Sequence, residues 1–304
     1  MITINPSALL KGLRATFFRT YGPGPQGLVE MLSSMVKSDS DLETHLIMGE
    51  LPTVREFVDE RVAVTFGDTT YSLTNQKWEQ TIHILRDHIE DQKLNSITGV
   101  VNTMAAKAKR HPWHLIVDLM INGATTGSNS YDGVTFFNDA HPNRGSSGSQ
   151  DNNLAGTGTD LADLKLDFTT KRTAMKRFLD EGGEYFFDEI GADDLVVVCP
   201  PELETTFDEL FSADKISNTS NVLKGAVSQV IAPPRLSDAD DWYLLYKGDL
   251  GKPFIFQDRV PMTASMLDNA QNDAGFDRDV YKFGTRARYA AGYQRWQCAV
   301  RTTN

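Results

Sequence analysis

Cysteine is almost missing: Cys199 and Cys298 are the two present in 304 residues, each inside an apolar, strand-like run. They read as packed thiols in a reducing compartment rather than as a disulfide or a metal pair. No stretch approaches eighteen consecutive apolar residues, which argues against a membrane-spanning helix. The opening MITINPSALLKGLRATFF lacks a basic start, a long apolar run and a small-residue cleavage site, so it is not expected to be a secretory signal. HExxH and GxSxG are absent, as is GxxxxGK followed by Ser or Thr. Basic residues are absent from Asp180 to Asp214, which carries twelve acids.

What is present is an ordinary globular composition, 40% hydrophobic and 23% charged, with a formal net charge of −11. The length fits one large or two intimate domains. An acidic surface repels phosphates and argues against a direct grip on duplex DNA. Charge is uneven, however: Arg278–Arg301 holds six bases and one acid.

Periodicity supplies the elements. Leu9, Leu10, Leu13 and Phe17 fall at helical spacing after Ser7, and YGPGPQG at 21–27 then forbids regular structure. Over 61–85, Val62, Val64 and Phe66 alternate, Gly67-Asp68 turns, and Tyr71, Leu73, Trp78, Gln80, Ile82 and Ile84 resume a period of two. That predicts a long β-hairpin with no obvious local support, one that rests on another surface such as a second subunit. Residues 93–122 predict a long helix with a stripe of Leu94, Ile97, Val101, Met104 and Ala108, continued by Leu115, Leu119 and Met120. Pro112 predicts a kink near His111, and Asn122-Gly123 the end.

Residues 124–159 read as a polar loop, 160–180 as an amphipathic helix stopped by Gly182-Gly183, and LVVVC at 195–199 as a buried strand. Pro200-Pro201 opens a short helix bearing Leu203, Phe207, Leu210 and Phe211, and strands follow at 226–231, 242–246 and 254–257. At the end Tyr281, Phe283, Ala287 and Tyr289 alternate with Lys282, Arg286 and Arg288. No internal repeat is read. Helices and strands without regular βαβ order place the chain in the α+β class.

Chemistry is sparse. YDGVTFFNDAHP at 131–142 gathers Asp132, Asp139 and His141. One reading is a metal-dependent hydrolase using Asp139 and His141. The plainer one has Asp132-Gly133 as a hairpin turn, Phe136 and Phe137 packed, and Asp139 and His141 bonded to backbone beside Pro142. AGTGTD at 155–160 follows no strand and reads as a helix start, capped by Thr159 or Asp160, rather than a phosphate loop. The acids of 180–214 do not follow calcium-loop spacing and read as a solvated face. No catalytic, cofactor or metal residue is assigned.

GELPTVREFVDERV at 49–62, HIEDQKL at 88–94, AKAKRHPWHLIVDLMINGA at 106–124, YDGVTFFNDAHP at 131–142 and FGTRARYAAGYQRWQCAV at 283–300 run in one order across nearly the whole chain. Through them the sequence resembles the Mu-like prophage major head subunit family, tailed-phage major capsid proteins of the Hong Kong 97 type of fold. The resemblance implies an N-terminal arm at 1–48 and an extended hairpin loop at 49–86. It further implies a peripheral domain at 87–159 and 266–304, with 93–122 as its spine helix, and an axial domain at 160–265. It implies no enzymatic activity and a subunit of the virion, assembled in the bacterial host cytoplasm as hexamers and pentamers into an icosahedral shell. Double-stranded DNA would be enclosed without sequence-specific contact, and scaffold, portal and decoration proteins would be partners. Assembly roles are expected for Phe66, Gly67, Asp68, Tyr71, Pro112, Arg286 and Arg288. Some relatives cross-link through a lysine near the hairpin tip; here Thr65–Leu73 contains none, and Lys77 is the nearest. Encapsulin-like nanocompartment shells share the fold and are the alternative shell reading.

Overall fold

The computed structural model describes residues 6–24, 27–46, 70–91, 93–142, 148–180, 182–216, 218–267 and 279–304. The chain opens with helix α1 (Pro6–Tyr21), the short α2 (Leu28–Leu32) and strands β1 (Ser33–Lys37) and β2 (Leu42–Leu46). β3 (Thr70–Thr74), β4 (Gln76–Leu85), α3 (Arg86–Glu90) and the 29-residue α4 (Leu94–Asn122) follow. Three short strands, β5 (His141–Pro142), β6 (Ser149–Gln150) and β7 (Asn153–Ala155), lead to α5 (Leu161–Lys176) and β8 (Leu195–Val198). Then come α6 (Pro201–Ser212), β9 (Lys215–Ile216), β10 (Thr219–Ser220), β11 (Gln229–Ile231) and β12 (Trp242–Tyr246). The chain closes with β13 (Phe254–Leu267), β14 (Val280–Tyr293) and β15 (Ala299–Thr303). Helices and strands alternate without a regular βαβ order, with β8, α6 and the parallel β11 as a single such unit among the described residues, and this is the mixed class expected.

Two sheets organise the molecule. The first is four-stranded, in the order β1-β13-β14-β4. β13 and β14 run antiparallel over fourteen residues each, with bulges beside Arg259 and between Val260 and Thr263. The second is five-stranded, in the order β11-β8-β12-β15-β7. β8 and β12 are buried on both faces, as their continuous apolar runs LVVV and WYLLY require. These sheets cross the domain boundaries expected above. β13, placed in the axial range, pairs with β14 of the peripheral range. β15 and β7, placed in the peripheral range, complete the sheet of β8 and β12. Strand pairing joins distant segments, which a linear division of the sequence does not capture.

Two apolar clusters fill the interior, a smaller one under the first sheet and a larger one that spans the second sheet and reaches Phe254, Phe256, Tyr289 and Tyr293 of the first. Leu13 and Phe17 of α1 meet Ile97, Val101, Met104 and Ala108 of α4, against Ile84 and Phe283 of the first sheet. These α1 and α4 positions are those of the sequence stripes. Beyond Pro112 the stripe shifts: Ile116, Val117 and Met120 are buried, whereas Leu115 and Leu119 are half-buried. At 3.6 residues per turn the face of Ala108 recurs seven positions on, at Leu115, so the burial of Ile116 and Val117 instead shows that the buried face has rotated around the helix beyond the proline. Around the second sheet, Leu164, Phe168 and Met175 of α5 and Leu203, Phe207, Leu210 and Phe211 of α6 close the core.

α5 ends at Lys176, six residues before the glycines expected to stop it. The intervening residues form a tight β-turn: Asp180 N–H donates to the Glu184 carbonyl, and Gly183 takes a φ of 85°. Ser130–Val134 repeats that geometry, with Gly133 at φ 92°. Each turn is followed by an edge-to-face phenylalanine pair, Phe136–Phe137 and Phe186–Phe187. DGVTFF and GGEYFF are therefore a short structural repeat that periodicity alone did not reveal.

Candidate assembly site

Phe66, Gly67 and Asp68, the expected hairpin tip, lie outside the described residues, as does the outgoing strand. The returning strand is described, and it has local partners. β3 pairs antiparallel with β2, and β4 pairs with β14 over ten residues, Gln76–Leu85. The expectation that 70–85 lacks support within its own chain is thereby corrected. Its inward face, Trp78, Ile82 and Ile84, is matched by the long strand β14, in register with Ala287, Phe283 and Tyr281. Tyr71 lies over β14 at Gly292, where a Cβ would come within 2.9 Å of its ring, and its hydroxyl accepts from Tyr293 N–H at 3.3 Å. A glycine is required there to admit the ring.

Pro112 is buried inside an unbroken α4. Having no N–H, it leaves the Ala108 carbonyl without its helical donor. The neighbouring turn is held from outside: Trp78 and His111 rings sit 4.3 Å apart, Trp78 Nε1–H donates to the Tyr289 carbonyl at 3.0 Å, and His111 Nδ1 lies 2.8 Å from Tyr289 Oη. Three elements, β4, α4 and β14, thus meet at one polar-aromatic contact beside the proline. Burial holds the His111 imidazole below its ordinary value, and neighbouring His114 adds to this. Burial likewise raises the Tyr289 phenol.

On the opposite face of the first sheet, Arg286 is exposed in register with Glu79, and Arg288 is in register with Lys77. Arg288 and Arg259 converge on Asp41, Arg259 at 3.2 Å. Of the residues named from sequence, the structure brings Tyr71, Arg286 and Arg288 onto the β14 region; Pro112 approaches it through His111. Lys77, Trp78, His111, Asp41 and Arg259 were missed. The outward alternation of Lys77 with inward Trp78 was a usable signal; Asp41 and Arg259, in a loop and a bulge, gave none.

The Asp–His stretch is structural. His141 is fully buried, with Nδ1 2.6 Å from Asp132 Oδ2 and Nε2 3.0 Å from Asn152 Oδ1, and it stacks on Trp296 at 4.0 Å. Asn152 Nδ2 donates to the carbonyls of Phe136, Trp296 and Ala299, which fixes its oxygen toward His141. Asp139 is exposed. The pairing is therefore with Asp132, not Asp139, and through side chains rather than backbone. A hydrolase built on Asp139 and His141 is overturned, because one group faces solvent while the other has both ring nitrogens engaged. Cys199 and Cys298 are buried free thiols, each raised by burial to about 12.

The sequence profile described as Mu-like prophage major head subunit gpT matches residues 7–167 and 235–304. The chain is 22% identical over 303 residues to the Mu-like prophage FluMu major head subunit of Haemophilus influenzae, covering 98% of this chain and 74% of that protein. It is 24% identical over 269 residues to the major capsid protein of Escherichia phage Mu, covering 88% of this chain and 64% of that protein, just under two thirds of its length. Among solved structures, the procapsid of bacteriophage JBD30 superposes with a TM-score of 0.56 at 21% identity, covering 99% of this chain and 76% of that one. A virus-like particle from Pyrococcus furiosus superposes with a TM-score of 0.58 at 9% identity, covering 96% and 98%. The fold is that of phage capsid subunits, and with matched residues drawn from both sheets the chain belongs to the Mu-like prophage major head subunit gpT family.

Proposed function

We propose that this chain is a major head subunit that assembles with copies of itself, as hexamers and pentamers, into an icosahedral shell of the virion enclosing double-stranded DNA. The role is structural, not enzymatic. The observation that carries the reading is the family match across both sheets, joined to a capsid fold that takes in nearly the whole chain. In this reading the first sheet with α4 forms the peripheral domain and the second sheet with α5 and α6 the axial domain. The extended hairpin loop of 49–86, of which 49–69 lies outside the described residues, is the contact with a neighbour. Scaffold, portal and decoration proteins are partners of the same shell. Phe66, Gly67, Asp68 and Tyr71 act in the hairpin contact, Pro112 in the spine helix, and Arg286 and Arg288 at a subunit boundary. No helix among the described residues is long and apolar enough to cross a membrane.

Deleting 66–68, which spares β3 and the Tyr71 contact, tests the hairpin role: the subunit should stay folded and closed shells should be lost. Normal particles from that deletion would contradict it. A second reading, an encapsulin-like nanocompartment shell filled with protein rather than a genome, shares the same fold, and the superposition on the Pyrococcus furiosus virus-like particle supports that fold alone. Absorbance spectra of particles purified after nuclease treatment separate the two. Protected nucleic acid supports the head reading, and particles holding only a second protein support the other.

A further inference from the structure

The outward face of the first sheet is basic although the chain carries a net charge of −11. β4 turns Lys77, Glu79, Thr81 and His83 to solvent, and β14 sets Lys282, Arg286 and Arg288 in register with His83, Glu79 and Lys77. Lys77 and Arg288 are thus like charges directly opposite one another, an arrangement that destabilises a strand pair unless a counter-charge is supplied. Arg259 joins them from the bulge in β13. The carboxylate these cations share is Asp41, which accepts from both arginines and remains 72% exposed. Lys77 has no ion-pair partner among the described residues, and the buried Nε of Arg288 has no acceptor. Three cations against one carboxylate leave the group positive.

These residues line an open cleft of about 700 Å³ bounded by Asp41, Asn75, Gln76, Lys77, Arg259 and Arg288. A purely intrachain role for the arginines accounts for Asp41 but leaves Lys77 facing Arg288 without a counter-charge of its own among the described residues. The exposed Lys77 ammonium beside the guanidinium groups of Arg259 and Arg288 suits one further carboxylate.

We propose that this cleft is a docking site for an aspartate or glutamate side chain of a second copy of the chain. The proposal rests on the shell reading, which supplies the second copy. Charge complementarity selects the occupant. The chain has 41 acids to 30 bases, and Glu202, Glu204, Asp208 and Glu209 stand exposed on the outer face of α6.

The test is zero-length coupling with a water-soluble carbodiimide, which joins a lysine amine to a carboxylate as an amide. Particles are assembled from a mixture of unlabelled and ¹⁵N-labelled chain, coupled, digested and read by mass spectrometry. The expected result is a Lys77 peptide joined to an acidic peptide with mixed labels. Lys77 left uncoupled in particles emptied of nucleic acid, or joined only to acids of its own chain, overturns the proposal while the shell reading stands. Absence of particles overturns both. Lys77→Glu, at an exposed position that leaves the core intact, should lower particle yield roughly tenfold at low salt. Asp41→Asn should not lower it. An unchanged yield for Lys77→Glu, or a loss confined to Asp41→Asn, contradicts docking of an outside carboxylate.

Discussion

Trp78 packs against His111 at 4.3 Å between ring centroids, so the base of the returning hairpin strand touches the long helix one residue before its buried proline. Tyr289 closes the contact through its carbonyl and its hydroxyl. Truncating Trp78 to Ala removes a half-buried indole and a hydrogen bond and should cost about 2–3 kcal/mol in the unassembled subunit. Urea unfolding measures it. If β4 were held by its strand pairing alone, the loss would stay near the value for an exposed residue.

The same contact responds to acid. Burial first and then His114 lower the His111 pKa from 6.5, with Arg235 adding and Asp118 opposing; burial and then Arg235 lower His114. Each ring is therefore harder to protonate folded than unfolded. Their contribution is complete above the unfolded value, is lost as pH falls below it, and levels off below the folded value. Unfolding midpoints from about pH 7.5 down to about 5 should fall less steeply for a His111→Asn, His114→Asn double variant than for the wild type. Parallel slopes would contradict the burial of the rings.

Pro112 interrupts the hydrogen bonding of α4 without ending the helix. Pro112→Ala restores a donor to the Ala108 carbonyl, a change of ~3 kcal/mol in a free helix interior. It also gives up about two buried carbons at ~0.8 kcal/mol each. The net expectation is a subunit stabilised by about 1 kcal/mol, from these two opposing terms. Thermal unfolding tests the sign; a destabilised variant would show that the buried ring matters more than the missing donor.

Asp132 and His141 are nearly inaccessible, with side-chain exposures of 5% and 0%. Asp132→Ala leaves a buried imidazole nitrogen without its hydrogen-bond partner and should destabilise by about 1–3 kcal/mol. His141→Gln, which keeps a polar group toward Asn152, should cost less. Metal analysis of purified wild type and His141→Gln checks the structural role. Stoichiometric zinc present in the first and missing in the second would contradict it.

Local patterns were legible where one face of an element decides its burial. Leu13 and Phe17 of α1, Ile97 through Ala108 of α4 and the stripe of α6 all repeat at helical spacing, and LVVV and WYLLY announce strands covered on both sides. Long-range pairing was not legible. The sequence near Trp78 does not say that its strand lies on 280–293, nor that Arg288 faces Lys77. His141 found Asp132 nine residues back rather than Asp139 two residues back, because the turn at Gly133 folds the segment onto itself. The early end of α5 is set by a turn centred on Asp180, where short-range hydrogen bonds replace helical ones. The exposed acids of 180–214 agree with the solvated face read from composition, since no basic residue interrupts them.

Cryo-electron microscopy of the purified, assembled protein shows directly whether this chain builds a closed shell from copies of itself. Closed particles with five- and six-fold clusters of subunits are expected, each subunit carrying the two sheets described above. A protein that remains a monomer or dimer under assembly conditions would contradict it.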